Sequence, residues 1–293
     1  MSSVTNKISS NGDHVEENGS VACSSSGTSL IANAKQNGTQ DNGTQNVANK
    51  DRFRYGNYNR YYGTRIKERF QKDPRLELLP QKWFHQRAVL DIGCNVGFLT
   101  LCIAKEFAPN RILGIDIDGN LIGTARKNIR HYCESDTELI GKFPASLAGD
   151  SNKKAVDLTD SDDLLDMVKE EFNVIMALSI TKWIHLNWGD EGLKRFFKRA
   201  FKHLRPGGRF ILEPQDYSTY RKRSKITPEM NEHYKNIKFK PDNFTEYLLS
   251  KEVGFEKVEE LGTPKNATSK GFERPLLVFI KAFQVNKKIK AMD

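Results

Sequence analysis

A chain of 293 residues, 38% hydrophobic and 28% charged, has room for one large domain or two small ones. The formal net charge of +9 is unevenly spread: residues 1–50 hold three Lys against four acids, so the remainder carries about +10. That balance favours an anionic partner, nucleic acid first, over a protein that is merely basic, and no apolar run approaches the length that spans a membrane.

Residues 1–50 contain no Phe, Trp or Tyr and are crowded with Ser, Asn, Gly and Thr. Such a segment buries too little apolar surface to offset the entropy of ordering, so a disordered polar tail is expected. It has no apolar core or charged start of a secretory signal, which points to an intracellular, non-secreted protein. The four cysteines form no Cys-x-x-Cys pair, so reduced thiols and no metal site are expected. A folded domain is expected over residues 51–284, with residues 285–293 frayed.

Residues 52–65 interleave four Arg with Phe53, Tyr55, Tyr58, Tyr61 and Tyr62. Rings that stack on bases beside guanidinium groups that grip phosphate suit an RNA end. Gly56, Asn57 and Gly63 disfavour a free-standing helix, so residues 51–75 read as a substrate lid or as a segment packing its tyrosines on the domain. Asp73-Pro74 opens a short segment that leads through Arg75 and Leu76 to Trp83 and Phe84, expected beneath the first strand.

The most ordered signal lies between Ala88 and Asp118. Val89, Leu90 and Ile92 suit a buried parallel strand, Phe98 to Phe107 has helical spacing, and Arg111 to Ile117 reads as a second strand. Gly93 and Gly97 let the backbone turn sharply where a Cβ would collide. Asp116 follows Gly93 by 23 positions and is placed to accept from ribose hydroxyls. The turn is Asp-x-Gly-x-x-x-Gly, neither the Gly-x-Gly-x-x-Gly of dinucleotide folds nor a P-loop. A pyrophosphate needs an open helix N-terminus, whereas a ligand linked by an uncharged thioether or a sulfonium does not. The pattern resembles the S-adenosylmethionine site of Rossmann-like methyltransferases.

Residues 120–132 read as a helix, residues 134–154 as an insertion loop, and Val156-Asp157 as the end of a third strand. Phe172 to Leu178 is a continuous apolar run suited to the sheet centre. The segment after it, with Lys182, Trp183, His185, Asn187 and Trp188, reads as a loop at the ligand crevice. The alternatives are a core histidine at His185 and a solvated lysine at Lys182. A helix over residues 190–204 buries Leu193, Phe196, Phe197, Ala200, Phe201 and Leu204. Strands follow at Arg209–Leu212, Phe255–Glu260 and Leu276–Lys281, with Arg/Lys/Tyr mixtures at residues 217–225 and more positive charge at 235–240.

Taken together, Tyr-Gly-Asn-Tyr-Asn-x-Tyr-Tyr-Gly, Leu-Asp-Ile-Gly-Cys-Asn-Val-Gly, Asp116-Ile-Asp118, the run from Leu178 to Lys194 and Thr-Ser-Lys-Gly-Phe-Glu-Arg-Pro closely resemble the bicoid-interacting family of RNA methyltransferases. The likeness extends from about residue 53 to 282 and is strongest to the branch that caps a 7SK-like small nuclear RNA. It implies an α/β, Rossmann-like class I methyltransferase with a seven-stranded, mostly parallel sheet whose last strand is antiparallel. It implies S-adenosylmethionine as methyl donor, the γ-phosphate of an RNA 5′ end as acceptor, components of an RNA–protein particle as partners, no membrane, a monomer, and nuclear residence. The cofactor positions it implies are Tyr62, Arg75, Gly93, Cys94, Asn95, Asp116, Ile117 and Leu178, with Val156 and Asp157 as adenine contacts where the capping branch has Asn-Tyr. Tyr61, Arg65 and Lys182 match residues that hold the RNA 5′ phosphates and serve catalysis. Two alternatives stay open: an enzyme acting on a 5′-monophosphate RNA, and an RNA-binding scaffold, although a scaffold would not need Asp116 and the glycines.

Overall fold

The computed structural model describes residues 53–58, 61–66, 72–132, 165, 168–265 and 267–283. The expected tail, the insertion at 134–154 and the Val156-Asp157 strand lie outside these residues.

Six strands form one sheet among the described residues: β1 (Ala88–Ile92), β2 (Arg111–Ile115), β3 (Phe172–Leu178), β4 (Leu204–Glu213), β5 (Lys257–Glu260) and β6 (Leu277–Ile280), in the order β2-β1-β3-β4-β6-β5. Strands β2, β1, β3 and β4 run parallel, while β6 pairs antiparallel with both β4 and β5. The antiparallel last strand is as expected. Six strands rather than seven are described, because the expected third strand falls outside the described residues.

Alternation along the strands explains why the sheet is buried on both faces. Leu90, Ile92, Ile175, Ala177, Phe210, Leu212 and Phe279 meet one apolar layer. Val89, Val174, Met176, Leu178, Ile211, Val278 and Ile280 meet the other. Helix α1 (Tyr61–Arg65), α2 (Phe98–Phe107), α3 (Gly119–Tyr132), α4 (Thr181–His203), α5 (Tyr220–Ser224), α6 (Pro228–Asn236) and α7 (Phe244–Leu249) surround it. Phe84 packs on Phe107 with ring centroids 5.3 Å apart, in the same layer as Leu99 and Ile103 of α2.

Of the expected stripe, Leu193, Phe196, Phe197 and Ala200 are buried on α4, Phe201 is half-buried, and Leu204 is buried at the start of β4. That helix starts earlier than its apolar spacing suggests. The segment carrying Lys182 and His185 is not a loop but the first turns of α4, separated from the core-packing part by Gly189 at φ 65° and ψ −167°. A residue with a side chain is strained at that φ, so glycine permits the break. The helix ends at His203 and Leu204 already belongs to β4, where Phe172 pairs with Leu204 before a register shift.

Candidate active site

In an open parallel sheet the ligand crevice lies beyond the carboxyl ends of the strands, where the strand order reverses. Here that point lies between β1 and β3. A cleft of about 1420 Å³ opens there, lined from β1 and β2 by Gly93, Asn95, Asp116 and Ile117, and from β3 onward by Leu178, Lys182 and Trp183.

The β1 side is built largely from main chain. Gly93 holds φ 78°, and a Cβ there would lie 2.4 Å from Ile180 Cγ2. The N–H groups of Gly93 and Cys94 both donate to Ile115 O, at 2.8 and 3.0 Å, and that of Asn95 donates to Asp116 Oδ2 at 2.9 Å. The turn therefore spends its donors internally instead of presenting them to a polyanion, which is the distinction expected from its spacing. Asp118 N–H donates to Asp116 Oδ1 at 3.0 Å, so each Asp116 oxygen keeps a lone pair for a further donor. Burial pushes the Asp116 carboxyl up, against these backbone bonds. The Cys94 side chain packs on Gly114 and does not line the cleft, so only its main chain belongs to the turn. Asp91, buried beneath the turn, accepts from Thr100 Oγ1 at 2.6 Å, and burial lifts its carboxyl to about 6.

These residues fit a nucleoside with an amino-acid arm. Ile117 is 47% and Leu113 37% exposed on the cleft wall, large apolar side chains that a flat ring would cover. Asn95 Oδ1 is buried without a hydrogen-bond partner, an acceptor that a ligand donor would satisfy. Tyr62 lines the same space against Phe98, 5.0 Å between centroids.

The opposite side is built from side chains. Glu213, at the end of β4, is fully buried. Its carboxylate meets Arg65 at 2.8 Å, Arg75 at 3.1 Å and Arg274 at 3.3 Å, and accepts from Ser179 Oγ at 2.6 Å. Burial alone would raise the carboxyl, but Arg75, Arg65 and Arg274, with the serine hydroxyl, hold it at about 2. Asp73, also buried, takes a second bond from Arg75 at 2.7 Å. Tyr61 OH donates to Ser179 Oγ at 3.3 Å and accepts from Arg65 Nη1 at 3.0 Å.

Lys182 is nearly buried, and its Nζ donates to Thr219 Oγ1 at 3.1 Å, with no carboxylate partner among the described residues. Burial, then Arg223 and Arg274, bring its ammonium down to about 8. Arg223 lies over the rings of Tyr58 and Trp183, at 5.0 and 6.0 Å. Gln215 holds the start of α4, accepting from Thr181 Oγ1 at 2.9 Å and from Lys182 N–H at 3.1 Å.

The Arg/Tyr segment is docked on α4. Arg54 Nε donates to Asn187 Oδ1 at 3.0 Å, Asn187 Nδ2 donates to Arg54 O at 3.0 Å, and Tyr55 stacks on Trp188. Gly56, at φ 73°, lies so close to Trp183 that a Cβ would be 2.2 Å from the indole. Asn57 Nδ2 donates to Asp118 Oδ2 at 2.6 Å, carrying the segment across the cleft to the end of β2.

The structure brings Tyr61, Tyr62, Arg75, Gly93, Asn95, Asp116, Ile117, Leu178 and Lys182 to one cleft. Val156 and Asp157 lie outside the described residues. Arg65 stands differently from a phosphate ligand: it is buried behind Tyr61, off the cleft wall, with its charge committed to Glu213. Arg223 and Arg274 line the cleft instead; Arg274 belongs to the Thr-Ser-Lys-Gly-Phe-Glu-Arg-Pro run, and Arg223 to the Arg/Lys/Tyr mixture at residues 217–225, but neither run marks its arginine as a site residue. His185 is a core histidine, bonded to Asp190 Oδ1 at 2.7 Å and packed against Tyr220, Phe239 and Phe244. Asp190 in turn accepts from the N–H groups of Lys238 and Phe239, both at 3.0 Å, which pins the break in α4.

The sheet order, the glycine turn and the acid after β2 define a Rossmann-like, class I methyltransferase domain that uses S-adenosylmethionine, and a methyltransferase-domain family model matches residues 90–210. A second family model, bicoid-interacting protein 3 (Bin3), matches residues 172–281. The chain is 43% identical over 239 residues to the U6 snRNA methylphosphate capping enzyme Amus of Drosophila melanogaster, covering 80% of this chain and 78% of that protein. It is 42% identical over 276 residues to the 7SK snRNA methylphosphate capping enzyme of Homo sapiens and 41% identical to that of Mus musculus, covering 79% of this chain in each case. It spans only 40% and 41% of the length of those two relatives. The chain belongs to the bicoid-interacting protein 3 family.

Proposed function

We propose that this protein transfers a methyl group from S-adenosylmethionine to the terminal phosphate at the 5′ end of a small nuclear RNA of the 7SK or U6 kind, acting on the γ-phosphate of a triphosphate. The observation that carries this reading is the cation set on the acceptor wall. Lys182 and Arg223 have no carboxylate partner among the described residues, and they face the cleft beside Arg274 and Lys222. Cations held this close together lower one another's charge affinity, as at Lys182, and an anion between them relieves that cost. A triphosphate matches several such cations better than a monophosphate does.

The cofactor supplies an electrophilic methyl group on a sulfonium. Asp116, Asn95 and Arg75, with Tyr62, Ile117 and Leu178, are the residues that would hold it. No general base is needed, because a terminal phosphate with a second pKa near 6 already carries its charge at neutral pH. Lys182 and Arg274 hold phosphate oxygens in place, Tyr61 orients the end through its hydroxyl, and Arg65 fixes Tyr61 and Glu213 from behind. The same reading has the chain act as a monomer and act in the nucleus, where small nuclear RNAs are made.

The test is methyl transfer to one RNA prepared with a 5′-hydroxyl, a 5′-monophosphate and a 5′-triphosphate end. Transfer should require a phosphate and favour the triphosphate. Equal transfer to the 5′-hydroxyl RNA would move the acceptor off the phosphate, and preference for the monophosphate would reassign the acceptor class.

A further inference from the structure

Positive charge continues from the cleft wall, where Lys222 and Arg223 stand, along one stretch of chain. Residues 217–240 hold seven Lys or Arg against two Glu, about half of the excess carried by everything beyond residue 50. Elsewhere on the surface, Lys72, Arg111, Lys194, Lys198 and Lys257 each lie within 4 Å of a glutamate, so their charge is locally answered. On this segment, Arg221, Lys222, Lys235 and Lys240 are exposed and make no ion pair among the described residues. Exposed charges left uncompensated on one short stretch create a field that attracts a polyanion.

This stretch is continuous with the cleft. Ser218, Thr219 and Lys222 are part of its wall, and Thr219 holds Lys182. One residue back, Tyr217 stacks on Tyr234 of α6 at 5.7 Å, and Lys240 Nζ sits 5.3 Å from the Tyr217 ring. The aromatic pair therefore joins the cleft wall to Lys240 and to α6, which carries Lys235. The backbone beneath is firm: Thr227 caps α6 by accepting from Met230 N–H at 3.2 Å, and His233 Nδ1 bonds Leu186 O at 2.9 Å. The cations are thus carried on a fixed platform and not on a loose tail.

We propose that α5, α6 and the Lys238–Lys240 segment form a track for the RNA strand beyond its 5′ end, gripping its phosphates without reading its sequence. The proposal rests on the reading that an RNA end enters the cleft, and adds where the rest of that strand lies. It follows that affinity depends on RNA length: a short 5′-triphosphorylated oligonucleotide fills the cleft alone, and a longer one also occupies the track.

The test uses the full chain and the triple variant Arg221→Ala, Lys235→Ala, Lys240→Ala, none of whose side chains lines the cleft. With a 5′-triphosphorylated RNA of about twenty nucleotides, KM for methyl transfer should rise on the order of tenfold. The slope of log affinity against log salt should fall by about two, near 0.7 for each phosphate of a single strand that is no longer neutralised. With a 5′-triphosphorylated trinucleotide, KM and kcat should stay within about twofold of the parent. An equal change for both RNAs, or no change for the longer one, overturns the track. Binding of the same long RNA with a 5′-hydroxyl end, read by fluorescence anisotropy, separates the two readings. Weakened binding in the variant supports the track even where no methyl is transferred, and failure of transfer to every RNA counts against the proposed activity alone.

Discussion

The two walls of the cleft are made in different ways. The centre of the donor wall is main chain, small residues and the Asp116 carboxylate within a span of about thirty positions, Ala88 to Asp118, and its hydrogen bonds close on neighbouring turns. The acceptor wall is gathered from side chains far apart in sequence: Arg65 meets Glu213 across 148 positions, Arg54 meets Asn187 across 133, and Arg274 meets Ser179 across 95. A wall made of backbone tolerates change in most of its side chains. A wall made of converging charges depends on every member and on one buried carboxylate that holds them together.

Breaking that carboxylate should have the largest effect. Glu213→Ala leaves Arg65, Arg75 and Arg274 facing one another without their common partner, and the loss of one member of a buried ion cluster costs about 3–5 kcal/mol. Denaturant unfolding of the variant should show that loss, whereas a stability within about 1 kcal/mol of the parent would mean that the arginines repartition to Asp73 and solvent. The same group sets an acid limit. Its folded pKa of about 2 lies below the ordinary 4.5, so its contribution is complete above pH 4.5 and is lost as pH falls toward 2. Unfolding midpoints measured between pH 6 and 3 should fall more steeply in the parent than in Glu213→Gln.

Next in size is a change confined to transfer. Lys182→Ala should lower kcat/KM with 5′-triphosphate RNA by about 10²–10³, the usual cost of removing one aimed charge, and leave S-adenosylhomocysteine binding by calorimetry near the parent value. Weakened cofactor binding of similar size would place Lys182 on the donor wall instead. A smaller effect tests its protonation. Because burial and the neighbouring arginines bring Lys182 to about 8, the charged form that grips phosphate is lost as pH rises through that value. The kcat/KM profile should therefore fall on its alkaline side near pH 8, and Lys182→Arg should remove that limb if it retains activity.

The smallest effect belongs to the strand of chain that ties the walls together. Asn57→Ala deletes the 2.6 Å bond to Asp118, worth about 1 kcal/mol at a partly exposed site. Dissociation of S-adenosylhomocysteine should quicken by about fivefold, with methyl transfer at saturating substrate little changed. An unchanged dissociation rate would mean that the contacts with α4, through Asn187, Trp183 and Trp188, hold the segment without the Asp118 bond.

The same contrast decides what is legible in the sequence. Helix α2 and strand β3 are readable to the residue, β1 nearly so, and the donor turn is readable in chemistry as well, because glycine spacing and a following acid act locally. Lys182 stands out, but its segment reads as a loop: polar and aromatic residues mask the helical period there, and the break at Gly189 parts it from the apolar stripe that is readable. Arg65 reads as a phosphate ligand because its type and place suit that task. Only the distant Glu213 reveals where its charge goes. Arg274 stands in a run that marks the family and Arg223 in a basic, tyrosine-bearing stretch, but neither run reveals its task, since tertiary approach alone brings these two side chains to the cleft.

The placement of β6 between β4 and β5 also sets an order of assembly. Strand β5 has its only described ladder with β6, and Arg274 reaches Glu213 from the connection between these two strands. As the chain emerges during synthesis, the Ala88–Asp118 segment is complete about 160 residues before β6 is made, a separation fixed by residues 118 and 277. Until the final strand inserts, Glu213 lacks one of its three arginines and β4 has an open edge. The glycine turn and Asp116 are thus made long before the residues that complete the site: Leu178 on β3, Glu213 on β4, and Arg274 just ahead of β6.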